Sequence, residues 1–185
     1  SLAVIEEEAD RLSKMVDDLL DASRLQAGGL SLNQADVAVP SLALRVSERF
    51  ASQSPKHSIV TDFPSNFPVI LGDENRLEQV ISNLVSNSLK YAPKGEIKIS
   101  GSVLPEQVIV CVSDEGPGIE AKDLPHIFDR FYRSTNAVKQ TKGAGLGLYL
   151  ARAIVEAHGG HIWADAVTGS AKSESGARIC FSLPR

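Results

Sequence analysis

The sequence predicts an α/β (α+β) two-layer sandwich, a mixed and mostly antiparallel sheet packed on helices, with a heptad-patterned helix at its N-terminal end. Three observations lead there. Apolar residues recur at alternating spacings of three and four over residues 2–26. Helical and strand-like stretches then follow in an order that does not fit a parallel, doubly wound sheet. Finally, "EIKISGSVL" and "QVIVCVSDEG" are separated only by a short connection around Pro105 and Glu106, which makes them a hairpin.

Taken in order, the first helix carries Leu2, Ile5, Ala9, Leu12, Val16 and Leu19 as a seam, continued more weakly by Ser23 and Gln26, with acidic residues and Lys14 on its other faces. "QAGG" at 26–29 supplies a glycine stop. One such helix cannot bury its seam alone, so it packs on partner helices or on its own domain. "LSLNQADVAV" alternates as a strand does, and "PSLALRVSERFASQS" opens with Pro40 and Ser41 before an amphipathic helix. "HSIVTDF" and "FPVILGD" read as two short strands around a proline-bearing turn. A long helix follows from Glu74 to Tyr91, closed by Pro93 and Gly95. After the hairpin, "LPHIFDRFY" predicts a short helix and "RSTNAVKQTKGAG" a polar loop. "LGLYLARAIVEAH" is helical up to Gly159, and "HIWADAV" and "GARICFSLP" complete the sheet.

A net charge of −4 and a pI near 5.6 give no general attraction for nucleic acid or an anionic membrane. A polyanionic ligand would need a cation or positioned donors. No apolar run approaches the ~20 residues of a membrane span, and no signal peptide is visible, so a cytoplasmic chain is expected. Cys111 and Cys180 match neither a metal-site spacing nor a disulfide framework and are expected as two buried, reduced thiols. The chain starts at Ser1 and has its single methionine at Met15, so it is expected to be a piece of a longer polypeptide.

Along the helix 74–91, Arg76, Gln79, Asn83, Asn87 and Lys90 fall within about 40° of one line, opposite Leu77, Ile81, Leu84 and Val85. This is either a wet face or a binding face. Residue choice bears on the question, because each interior Asn gives up roughly 0.5 kcal/mol of helix propensity against Lys, Glu or Gln. Amide oxygens one turn apart can share a hard cation such as Mg²⁺, and Lys90 can reach a phosphate beside it. "SDEGPGI", residues 113–119, places Asp114 at a strand end before Gly116 and Gly118. It is either a plain turn or a carboxylate accepting from an exocyclic amine, with glycines that let a flat ring approach. "KGAGLGL", residues 142–148, has Gly143, Gly145 and Gly147 before a helix, where backbone N–H groups and the helix dipole can bind phosphate or the glycines merely loosen a junction. It fits neither GxxxxGK[ST] nor GxGxxG.

In combination these segments resemble the ATP-binding catalytic domain of sensor histidine kinases, whose Bergerat-type fold is shared with gyrase and the heat-shock chaperone ATPases. The resemblance covers residues 36–185 and includes a lid at about 132–145. Residues 1–27, ending near "LLDASRLQAGGL", resemble the second helix of the dimerisation and phosphotransfer domain, with 28–35 as linker and entry to the first strand. "NLVSNSLKYAP" is similar to the N box. This implies Asn87 as Mg²⁺ ligand assisted by Asn83, Lys90 on phosphate and Tyr91 near the nucleotide. "DEGPGI" is similar to the first glycine box and implies Asp114 as acceptor of the adenine amino group, with Gly116, Gly118 and Ile119 around the ring. "IFDRFYR" resembles the F box, in which Phe128 and Phe131 would pack the base of the lid and Arg130 or Arg133 would reach the γ-phosphate. "GAGLGL" resembles the second glycine box, so Lys142, Gly143, Gly145, Leu146 and Gly147 would hold phosphates, with Lys139 as a further partner.

This chain has Glu115 and Ala144 where many members carry Asn and a polar residue, so contacts from those positions are not carried over. The resemblance implies a protein-histidine kinase using ATP and Mg²⁺, homodimeric through its dimerisation helices, passing phosphoryl groups to a response regulator receiver domain, and reaching a membrane only through segments upstream. The phosphoacceptor His of the family lies before Ser1, and His57, His126, His158 and His161 do not replace it, so autophosphorylation is not expected of this piece. His158 is expected to favour a helix C-terminus electrostatically. The alternatives are a nonenzymatic nucleotide-binding signalling module of the same fold, or a related ATPase or serine kinase.

Overall fold

The computed structural model describes residues 1–134, 145–167 and 176–185. The elements in chain order are α1 (Leu2–Gln26), β1 (Ala35–Val37), α2 (Val39–Ala51), β2 (His57–Asp62), β3 (Ile70–Gly72), α3 (Glu74–Tyr91), β4 (Gly95–Val103), β5 (Gln107–Asp114), α4 (Gly147–Ala157), β6 (Ile162–Val167) and β7 (Gly176–Pro184). Five strands form one sheet in the order β2-β4-β5-β7-β6, in which only β2 and β4 run parallel. That parallel pair needs a crossover, and α3 supplies it. The remaining strands, β1 and β3, make a separate antiparallel ribbon. The predicted two-layer architecture is present.

One continuous core lies between the sheet and three helices. Val108, Val110 and Val112 alternate inward along β5, as Ile179, Phe181 and Leu183 do along β7, against Leu42 and Val46 of α2, Leu77, Ile81 and Leu84 of α3, and Ile154 and Val155 of α4. The long helix has the boundaries its sequence gives. Asp73 caps its start by accepting from the Arg76 N–H at 3.1 Å, and Pro93 stands two residues beyond its end.

Four expectations need correction. "LSLNQADVAV" is strand only at Ala35–Val37, because only that stretch finds a partner, in β3. "LPHIFDRFY" is not a helix but a chain of turns, with i to i+3 bonds from His126 N to Asp123 O and from Asp129 N to His126 O. Tyr132 Oη donates to the buried Asp123 at 2.5 Å and holds this coil in place, while Phe131 takes a left-handed φ of 63° that no helix continues. The two cysteines are not separate thiols. The antiparallel register of β5 and β7 sets Cys111 opposite Cys180 with Cα atoms 4.1 Å apart, on the face away from the helices, and the sulfurs are bonded. Their 69-residue separation conceals this in the sequence.

His158 acts through hydrogen bonds and not through charge. Its Nδ1 lies 2.8 Å from the Ile154 carbonyl, which can only accept, and its Nε2 receives the Asp73 N–H at 3.0 Å. The bonds therefore define a neutral ring with the proton on Nδ1. By this means the C-terminal end of α4 is fastened to the N-terminal end of α3.

Candidate functional site

α3 forms one wall of a cavity of about 1100 Å³. Asn83, Asn87, Lys90 and Tyr91 line it from α3, Asp114, Gly118 and Ile119 from the end of β5 and its turn, and Gly145, Leu146 and Gly147 from the start of α4. Arg133 lines it too, whereas Arg130 lays its guanidinium 4.7 Å over the Phe131 ring, which is itself 48% exposed. Phe128 is partly buried and packs against the core. Lys139, Lys142, Gly143 and Ala144 lie outside the described residues. The α3 stripe is thus only partly wet, because Asn83 is 7% exposed and donates from Nδ2 to the Gly147 carbonyl at 3.0 Å.

The turn reading of Asp114 holds. Its Oδ1 makes the turn by accepting from Gly116 N at 2.9 Å and from Ala177 N at 3.2 Å, while Oδ2 carries no hydrogen bond among the described residues. Gly116 is required by packing, since a Cβ there would meet Asp114 Oδ1 at 2.9 Å and Ala92 at 3.1 Å. Glu115 turns away from the cavity, and its Oε2 accepts the Glu96 N–H at 3.0 Å.

The start of α4 has no side-chain cap and no acid in its first turn. This helix start lines the cavity, and the free N–H groups of an uncapped first turn, with the helix dipole, attract anions. Among the described residues no three His, Cys, Asp or Glu side chains converge. A cation here would depend on the asparagine oxygens together with oxygens of a bound ligand, the arrangement Mg²⁺ favours beside phosphates. A smaller cavity of about 510 Å³ lies between the β4–β5 turn and the Gly159 turn, lined by Leu104, Pro105 and Gln107 with Glu106 as its one charged residue.

The fourth wall is α1, which sequence reasoning did not place. Arg11, Lys14, Met15 and Asp18 line the cavity. Ala22, 2% exposed, packs with Leu146 and Leu150, and Asp21 accepts from Arg76 Nη1 at 2.9 Å and from Gln79 Nε2 at 3.5 Å. The signal was present as a second helical stripe, Arg11, Met15, Asp18, Ala22 and Leu25, hidden beside the stronger heptad seam. Burial raises the pKa of Asp18 above the ordinary carboxylate value, with Asp21 and Asp17 adding to it against Lys14 and Lys90. Burial likewise lowers Lys90, and the neighbouring Lys14, Arg133 and Arg11 add to it against Asp18. The end of the cavity around Lys90 is therefore a place where positive charge is crowded.

Residues 72–185 match the family described as histidine kinase-, DNA gyrase B- and HSP90-like ATPase. The chain is 34% identical over 188 residues to the sensor histidine kinase WalK of Bacillus subtilis, a match covering 99% of this chain and 30% of that protein. It is 36% identical over 169 residues to the sensor-like histidine kinase SenX3 of Mycobacterium bovis, covering 88% of this chain and 41% of that protein. It thus spans less than half the length of these relatives. Among solved structures, full-length ShkA in complex with AMPPNP superposes with a TM-score of 0.83 at 29% identity, covering 98% of this chain and 37% of that one. The histidine kinase ThkA, in complex with the response regulator protein TrrA, superposes with a TM-score of 0.75 at 25% identity, covering 98% of this chain and 49% of that one.

Proposed function

The chain belongs to the histidine kinase-, DNA gyrase B- and HSP90-like ATPase family, and from that premise we propose that it is the ATP-binding catalytic portion of a sensor protein-histidine kinase. The observation that carries this reading is the convergence of Asn87, Lys90, Asp114, Gly118 and the uncapped start of α4 on one cavity. Adenine lies by Gly118 and Ile119, with its amino group donating to Asp114 Oδ2, and Gly116 keeps the turn closed behind it. Tyr91 lines the nucleotide. Lys90 and Arg133 take phosphate oxygens, together with backbone N–H groups around Gly145, Leu146 and Gly147. Arg130 reaches this cradle only by leaving Phe131. Asn87, with Asn83, offers amide oxygen to Mg²⁺, which when bound neutralises charge on the phosphates. Positioning and charge neutralisation are then the main contributions to phosphoryl transfer.

The acceptor in this reading is a histidine on the dimerisation domain of the parent protein, with onward transfer to an aspartate of a response regulator receiver domain. Residues 1–27 belong to that dimerisation domain, residues 28–35 link it to the catalytic unit, and the parent is a homodimer. The chain works in the cytoplasm, with any membrane attachment supplied by other segments; none of its described helices is long and apolar enough to cross a bilayer.

Titration calorimetry with a nonhydrolysable ATP analogue tests the site. Asp114→Ala weakens binding about ten- to a hundredfold with or without metal, as loss of a charge-assisted hydrogen bond implies. Asn87→Ala weakens it only when Mg²⁺ is present. Unchanged affinity in both variants would falsify the assignment.

A further inference from the structure

α3 and α4 are joined by side-chain hydrogen bonds at both ends of α4. At the C-terminal end, Asp73 N donates to His158 Nε2 at 3.0 Å. At the N-terminal end, Asn83 Nδ2 donates to Gly147 O at 3.0 Å. Between the two lies the apolar packing of Val80 and Leu84 with Ala151 and Ile154. The Gly147 carbonyl belongs to the first residue of α4. It has one lone pair for the helix ladder and a second for Asn83, so the bond to Asn83 adds to the helix and does not compete with it.

Gly147 and its neighbours line the cavity at an uncapped helix start, and Asn87 and Lys90 stand one and two turns beyond Asn83 on α3. We infer that Asn83 is a positioning residue, whose amide N–H fixes the anion-binding start of α4 across the cavity from Asn87 and Lys90. The inference rests on the nucleotide reading of this cavity and assigns Asn83 a task beyond sharing a cation. A donor, and not only an oxygen, is what the position needs. The bond also settles which end of the amide is committed: the nitrogen meets the carbonyl, and Oδ1 is the end left for a cation.

The test compares Asn83→Ala with Asn87→Ala, each titrated with a nonhydrolysable ATP analogue in Mg²⁺, with the same analogue in EDTA, and with adenosine. Asn83→Ala is expected to lose about tenfold in affinity for the analogue in both Mg²⁺ and EDTA, the scale of one hydrogen bond, with adenosine unchanged. Asn87→Ala is expected to lose only in Mg²⁺. A loss by Asn83→Ala confined to Mg²⁺ would make the residue a metal ligand and overturn the proposal. Amide hydrogen exchange on the ligand-free variant gives a second readout that does not depend on nucleotide. Exchange at the Leu150 and Ala151 amides, which bond the first carbonyls of α4, is expected to rise about tenfold while the centre of α3 is unaffected, and unchanged exchange there also overturns it. If the wild-type protein bound no nucleotide, the function reading would fail, while the exchange experiment would still decide the role of Asn83.

Discussion

Lys90 shows how one residue acquires a property that its sequence neighbours do not confer. It is exposed at the cavity wall and has Lys14, Arg133 and Arg11 around it, with Asp18 as its counter-charge. Burial is the largest influence and lowers its pKa from the usual 10.5. A lysine depressed in the folded state binds its proton less readily there than when unfolded. Its charged form is therefore a penalty at pH below the folded value, relieved as pH rises from that value toward 10.5. A phosphate beside Lys90 reverses the shift, so binding takes up a proton within that window. Nucleotide affinity of the wild-type protein is accordingly expected to fall as pH is raised from neutrality toward 10.5. Lys90→Gln is expected to bind more weakly at neutral pH and to show a flatter profile; calorimetry across that range would refute the assignment if the two profiles ran parallel. At the same scale the left-handed backbone of Phe131 sits beside Gly145, whose own φ of 72° and close approach to Tyr132 O, 2.8 Å from a built Cβ, exclude a side chain.

Helix α1 serves two surfaces with two stripes. The heptad residues Leu2, Ile5, Leu12, Val16 and Leu19 remain exposed, from 78% at Leu2 to 43% at Leu19, as expected of a seam that one helix cannot bury. The other stripe docks on the catalytic unit through Ala22 and the Asp21–Arg76 pair. Most of that docking rests on close packing at Ala22, because a partly exposed ion pair contributes only about 1 kcal/mol. Ala22→Glu would bury a charge against Leu146 and Leu150 and is expected to undock the helix, whereas Asp21→Ala merely loosens it. Limited tryptic cleavage at Arg11 and Lys14 measures this: roughly a tenfold acceleration is expected for Ala22→Glu, the factor a shift of 1.4 kcal/mol produces. An unchanged cleavage rate would mean that the docking seen here contributes nothing to α1 protection.

Across the whole molecule, the centre of the sheet is closed by the Cys111–Cys180 disulfide, three residues before Asp114 on β5. Protein unfolded without reductant is expected to show no thiol reactive to iodoacetamide, and both after reduction. Replacing both cysteines with serine is expected to lower stability against denaturant by about 2 to 4 kcal/mol, the usual contribution of such a link. Free thiols in the unreduced protein would contradict the pairing. The sequence by itself determined the kinds and order of the regular elements, apart from the helix expected at "LPHIFDRFY", the limits of α3, the hairpin of β4 and β5, and the segments other than α1 that surround the cavity. Helical and strand periodicity, caps and glycine positions are local signals, complete within a few residues. Only the tertiary structure decided that Asn83 bonds Gly147, that His158 accepts from Asp73, that α1 roofs the cavity with its weaker stripe, and that the cysteines meet. Each is a contact between residues more than fifty positions apart, set by sheet register and helix packing. No local pattern encodes which partner such a side chain finds.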